Sequence, residues 1–147
     1  MSVAIRSAVW SDDLRIGHSE IDADHKAFFE LSAMLECSLN NENIDANFVD
    51  YVVEVLCQYV DGHFTREEEL MMDFQCQGWV LDHIKRHNTF RRIVYGLARG
   101  AHRGCRASTE AISAVCTTWI TEHIIAYDSK LKTMSRQLPS VQLAKVA

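Results

Sequence analysis

Four segments of this chain repeat apolar residues at helical spacing, and each of the four carries histidine or carboxylate side chains on the same stripe. The single proline, Pro139, lies beyond all four, so nothing interrupts them internally. That pattern predicts an all-α chain whose helices bury polar groups in their own core. The first segment, about residues 19–39, turns Ile21, His25, Phe28, Phe29, Ser32 and Leu35 to one side, with Ser19 as its expected N-cap and Asp22 and Asp24 near its positive end. The second, about 45–73, carries Val49, Val52, Leu56, Val60, His63, Glu67 and Leu70. The third, about 79–99, carries Val80, His83, His87, Phe90, Val94 and Leu97. The fourth, about 108–131 with Ser108 as expected cap, carries Ile112, Val115, Trp119, Ile120, His123, Ile124 and Tyr127.

Short connections make successive helices antiparallel neighbours, so the expected fold is an up-down-up-down four-helix bundle. At 147 residues and 48% hydrophobic, the chain suits one substantial core. We expect a bundle domain over residues 19–131, an N-terminal arm over 1–18 packing on it through Trp10 and Leu14, and a C-terminal tail over 132–147. The formal charge of -5, without any run of Lys or Arg, argues against nucleic acid or anionic lipid as partner. No stretch approaches a membrane span and the first residues do not form a signal sequence, so a cytoplasmic location is expected.

Residues four apart share one helix face, so His63 with Glu67, and His83 with His87, can each aim two ligand atoms at one point. Imidazole and carboxylate together suit iron or manganese better than a thiolate-rich structural zinc site. His25, His123 and Asp128 bring the set to five imidazoles and two carboxylates. One ion cannot use them all, whereas two ions sharing bridging carboxylates can, with room for a small exogenous ligand. A lone histidine on an apolar face is ordinarily a hydrogen-bonded core residue. Five of them, beside a buried Glu67 with no Lys or Arg on its stripe, ask for a metal.

His123 and Asp128 are five apart, a rotation of roughly 140° on an ideal helix, so either a local π-bulge or a different direction of approach is expected to reconcile them. Glu68 and Glu69 are read as a solvated face, Met71 and Met72 as packing residues, and His18 and His102 as lying outside the site. The five cysteines, Cys37, Cys57, Cys76, Cys105 and Cys116, show no CxxC spacing and are not expected to pair. Cys76 and Cys105 are placed in loops and the others on helices as small apolar residues.

Read in order, WSDDLRIGHSEIDADH, HFTREEELM, HIKRH and WITEHIIAYD resemble the hemerythrin family, especially its single-domain bacterial members, over about residues 10–131. The resemblance implies two iron ions. His83, His87 and His123 would hold one, His25 and His63 the other, and Glu67, Asp128 and a solvent-derived oxo or hydroxo group would bridge them. It implies reversible binding of dioxygen at the two-histidine iron, as a hydroperoxide, in storage, delivery or sensing. Phe28, Trp119, Ile120 and Ile124 would line the oxygen pocket. These are apolar, and the inner stripes hold no spare acid, Lys or Arg to deliver protons, which favours a binder over an enzyme. The alternatives are a di-iron oxidoreductase acting on peroxide or nitric oxide, and a redox- or oxygen-sensing regulatory domain with a protein partner. Three departures from many relatives stand out: FQCQGW replaces a Tyr-Pro-containing turn, Asp24 stands where Gln is frequent, and the tail from Ser135 extends past the usual core.

Overall fold

The computed structural model describes residues 9–72, 78–100 and 105–132. Four helical rods make the bundle, with no strand among the described residues. The first rod is Ser19–Ser38. The second begins as Ala46–Gln58, widens into a π-turn at Tyr59–His63, and resumes as Phe64–Met71. The third is Gly78–Arg99, and the fourth runs Arg106–Trp119 into a second π-turn at Ile120–Ile125. No described helix is long and apolar enough to cross a membrane.

The expected stripes are the buried faces. Every inward residue assigned to the first and second helices is buried, while Leu97, Val115 and Tyr127 on the other two are half-buried. Two apolar clusters result. The larger contains Phe28, Leu35, Val52, Leu56, Phe64, Phe90, Trp119 and Ile120; the smaller contains Ile16, Ile21, Leu70, Met71, Val80 and Leu131. Along the first and third helices the small cluster comes before the histidines and the large one after them. Along the second and fourth that order reverses. The histidines and carboxylates therefore form a polar waist between two dry compartments.

The helix ends differ from expectation in ways their hydrogen bonds explain. His18, not Ser19, caps the first helix: its Nδ1 accepts from the Ile21 N–H at 3.4 Å. Cys105 stands at the N-cap of the fourth helix without a side-chain cap, and Ser108 lies inside the helix, donating back to the Cys105 carbonyl at 3.4 Å. Arg106 instead ties that end to the first helix, donating to the Leu39 carbonyl at 2.7 Å and the Asn41 carbonyl at 2.6 Å. Met72 is exposed, unlike buried Met71, because the helix turns it away from the small cluster. Cys37 is exposed rather than packed, Cys57 half-buried, and Cys116 buried; these and Cys105 form no disulfide among the described residues. The expectations about Cys76, His102 and the tail concern positions outside the described residues.

The arm is fastened by a buried carboxylate. Asp22 accepts from the backbone N–H of Ile16 at 2.7 Å and of Gly17 at 3.2 Å. Gly17 has φ 94°, a left-handed conformation that side chains resist and glycine adopts freely. The turn drives Ile16, 1% exposed, into the small cluster, while Trp10 meets Phe29 edge-on at 5.6 Å.

Leu56 is fully buried in the large cluster, away from the polar waist. Leu56→Ala should lower the unfolding free energy by about 2–5 kcal/mol through lost transfer energy plus a cavity. Leu81→Ala, at a 60% exposed position, should change it by no more than about 0.5 kcal/mol. Urea unfolding of the two variants checks both figures.

Candidate metal centre

His25, His63, Glu67, His83, His87, His123 and Asp128 converge on one volume at the waist, and all are buried. Their donor atoms fall into two overlapping groups, each with every atom within 4.8 Å of the others. One group is Glu67, His83, His87, His123 and Asp128; the other is His25, His63, Glu67 and Asp128. The carboxylates belong to both because their two oxygens face different histidines. Glu67 Oε1 lies 2.9 Å from the Nε2 atoms of His25 and His63, while Oε2 lies 3.0 Å from His87 and 3.4 Å from His83. Asp128 Oδ2 lies 3.1 Å from His25 Nε2, and Oδ1 lies 3.0 Å from His83 and 3.1 Å from His123.

Local backbone explains the convergence. The bulge expected between His123 and Asp128 is present as the π-turn Ile120–Ile125, whose wider i→i+5 pattern helps bring Asp128 round to the side of His123. A short 3₁₀ turn, Asp128–Lys130, starts at the carboxylate itself. The π-turn at Tyr59–His63 was not anticipated, since the i,i+4 spacing of His63 and Glu67 needs no adjustment.

Most of these close approaches are not aligned hydrogen bonds. Only His25 Nε2 and Glu67 Oε1 are paired, at 2.9 Å. Glu67 Oε2, both Asp128 oxygens and the Nε2 atoms of His63, His83, His87 and His123 are buried without an aligned partner among the described residues. Buried polar atoms are ordinarily satisfied, at a cost of about 1–3 kcal/mol each when they are not. Lone pairs that converge on shared centres, instead of on one another's hydrogens, are what cation ligands require. The donor set therefore fits metal ions.

Two histidines are also held from behind. His63 Nδ1 donates to Asp24 Oδ2 at 3.0 Å, and Arg66 donates to the same oxygen at 2.9 and 2.7 Å. His87 Nδ1 donates to Glu68 Oε1 at 3.0 Å, which also accepts from Arg91 at 2.8 Å. A carboxylate on Nδ1 selects the tautomer that leaves Nε2 free for a metal. Asp24 thus does not merely face solvent, and the placing of Glu68 on a solvated face is corrected: Arg91 draws it inward onto His87. Glu69 is exposed as expected. Aromatic rings cover the other surfaces. Tyr59 lies flat on His63 at 4.4 Å, Phe64 on His87 at 3.9 Å, and Trp119 on His123 at 3.8 Å.

Phe28, Trp119, Ile120 and Ile124 all sit in the large cluster that borders the waist. Tyr59 joins them and was missed, although it precedes His63 by four residues as Trp119 precedes His123, a spacing that places both on ligand faces. Outside the bundle, a cleft of about 560 Å³ between the third and fourth helices reaches Trp119 and His123 from behind, past Lys85, Arg86 and Glu122.

Without metal, protons take the place of cations. Burial lowers the basicity of His25, but the Asp128 and Glu67 carboxylates beside it outweigh that and raise its pKa to about 10. The same balance brings His83 to about 9. Burial wins at His123 and depresses it. Glu67 is also disfavoured as an anion by burial, yet His63 and its other imidazole neighbours hold it well below the usual carboxylate range.

Because His25 and His83 have raised folded-state values, their stabilisation is complete below the unfolded value of 6.5 and is lost as pH rises through about 9 to about 10. The melting temperature of metal-free protein should accordingly fall between pH 7 and pH 10 by calorimetry. Metal loading at pH 7 should release at least these two protons, measurable with an indicator dye in weak buffer. Glu68→Gln should weaken metal retention roughly 10–100-fold in chelator competition, and Glu69→Gln should leave it unchanged.

Comparison with known proteins agrees with this geometry. The family model described as the hemerythrin HHE cation binding domain matches residues 17–135. Bacteriohemerythrin of Clostridium acetobutylicum is 28% identical over 125 residues, covering 82% of this chain and 95% of that protein. Those of Pseudomonas paraeruginosa and Pseudomonas aeruginosa are 31% identical over 116 residues, covering 79% of this chain and 73% of theirs. With all seven ligand-type side chains gathered at the waist of a four-helix bundle, the chain belongs to the hemerythrin family.

Proposed function

We propose that the protein holds two iron ions and binds dioxygen reversibly, as a binder and not as an enzyme. The observation that carries this reading is the division of the two carboxylates between two donor groups. Five protein donors surround one position and four the other. We assign His83, His87 and His123 to the first iron and His25 and His63 to the second, with Glu67 and Asp128 bridging. A solvent-derived bridging oxygen would bring the first to about six donors and the second to about five, which leaves one position for an exogenous ligand. The irons supply the two electrons that reversible oxygen binding requires.

The chain's own residues set the conditions. Glu67 and Asp128 contribute two negative charges, so together with a bridging oxygen they compensate much of the cationic charge within the waist. Asp24 and Glu68 orient His63 and His87 and raise their donor strength. Phe28, Trp119, Ile120 and Ile124, all at most 8% exposed, form the wall that we propose lines the oxygen pocket and excludes bulk water. These four side chains carry no acid or base of their own, a composition that disfavours proton delivery and turnover. The reversed order of the two apolar clusters along successive helices supports an up-down-up-down course. We further propose a domain over 19–131 flanked by an arm and a tail.

An optical spectrum tests this reading. Anaerobically reduced, iron-loaded protein should bind two irons per chain, one for each donor group. Its visible charge-transfer bands should appear in air and vanish under argon. His63→Ala and Glu67→Ala should abolish the reversible bands; if both variants keep them, the reading is wrong. Bands that persist under argon would favour the oxidoreductase or sensing alternatives.

A further inference from the structure

The pocket wall carries two polar atoms that the binding reading leaves unused. Tyr59 is 8% exposed, and its hydroxyl is buried without an aligned hydrogen-bond partner among the described residues. Trp119 is equally enclosed, and its indole N–H is likewise unpartnered. A tyrosine hydroxyl and an indole N–H normally find partners when buried. Two such atoms in one apolar wall are therefore a feature to be explained.

Their positions are informative. Tyr59 lies flat on His63, with centroids 4.4 Å apart and planes 15° from parallel, and it packs against Phe28 at 4.6 Å. It thus covers the side of the waist formed by His25 and His63, the group with four donors instead of five. Trp119 lies flat on His123 at 3.8 Å, with planes 12° apart, and so covers the adjoining five-donor group from the fourth helix. The two rings are linked through Phe64, which is 5.4 Å from each. The phenol of tyrosine is ordinarily neutral near neutral pH. A neutral phenol here is a hydrogen-bond donor, and the indole N–H can only donate.

We propose that the Tyr59 hydroxyl, assisted by Trp119 Nε1–H, donates a hydrogen bond to the exogenous ligand at the His25/His63 side of the centre. The ligand class is a small diatomic or triatomic species that presents acceptor lone pairs once bound. This rests on the di-iron reading above. It revises the pocket from a purely apolar wall to an apolar wall with one donor pair. Such a pair retains a bound ligand that carries negative charge, and it adds no side chain that readily ionises near neutral pH.

Azide is the probe, because it is a small anion that accepts hydrogen bonds and reports its surroundings through an infrared stretch. Iron-loaded full-length wild type, Tyr59→Phe and Trp119→Phe are titrated with azide by absorbance, with iron counted by elemental analysis in each. Tyr59→Phe should keep its iron and its melting temperature while its azide Kd rises about tenfold, as loss of one hydrogen bond to a charged group implies. Trp119→Phe should weaken binding in the same direction and by less. The bound-azide stretch should shift in Tyr59→Phe and lose its sensitivity to exchange of H2O for D2O, a change that altered packing alone would not produce. Unchanged affinity and an unchanged stretch in both iron-loaded variants would overturn the donor role and leave the di-iron reading standing. Wild type that takes up no iron would overturn both.

Discussion

Burying seven ionisable groups at the waist of a helical bundle is the constraint from which the rest of the structure follows. An isolated buried charge costs several kcal/mol even after relaxation. Glu67 and Asp128 are buried with five imidazoles around them, so the waist is tolerable only with compensating cations or protons at its centre. The two apolar clusters keep water away on either side, which strengthens each remaining electrostatic contact. From outside, Asp24 with Arg66 and Glu68 with Arg91 carry the polar network from the buried histidines to half-buried ion pairs. Charge is thus graded from the centre to the surface.

Much of this was legible in the sequence because helical periodicity maps directly onto burial. The seven ligand-type residues lie on the same stripes as Leu56 or Phe90, and a stripe that buries one buries the other. The bulge near His123 was legible for the same reason: a spacing of five contradicts a straight helix. Glu68 was not legible, because its inward turn depends on Arg91, which belongs to the next helix. Periodicity within one helix does not show a partner on another. Tyr59 could have been found from its spacing to His63, but tyrosine on an apolar stripe is ordinarily a packing residue. Only the missing partner of its hydroxyl distinguishes it.

Helix ends were read less well, and for a local reason. Capping depends on which side chain within reach satisfies the free N–H groups, and several types can do so. Ser19 and Ser108 have the usual capping chemistry, yet His18 caps the first helix and Arg106 secures the end of the fourth from a different direction. Neither difference moves any of the seven ligand-type side chains, since the stripes are set by helix interiors.

The π-turn at Tyr59–His63 sets the rotational phase of everything after it. Relaxing it to ordinary α geometry would rotate the rest of the second helix by roughly 100°. Glu67, Leu70 and Met71, all buried, would then leave their places together. The irregular turn is held open by the combined resistance of a carboxylate on the waist and two apolar side chains in the small cluster. The Ile120–Ile125 turn is held in the same manner, by Asp128 and Leu131 downstream. The second and fourth rods are thus locked in rotational phase, and the residues that lock them are those that close the site.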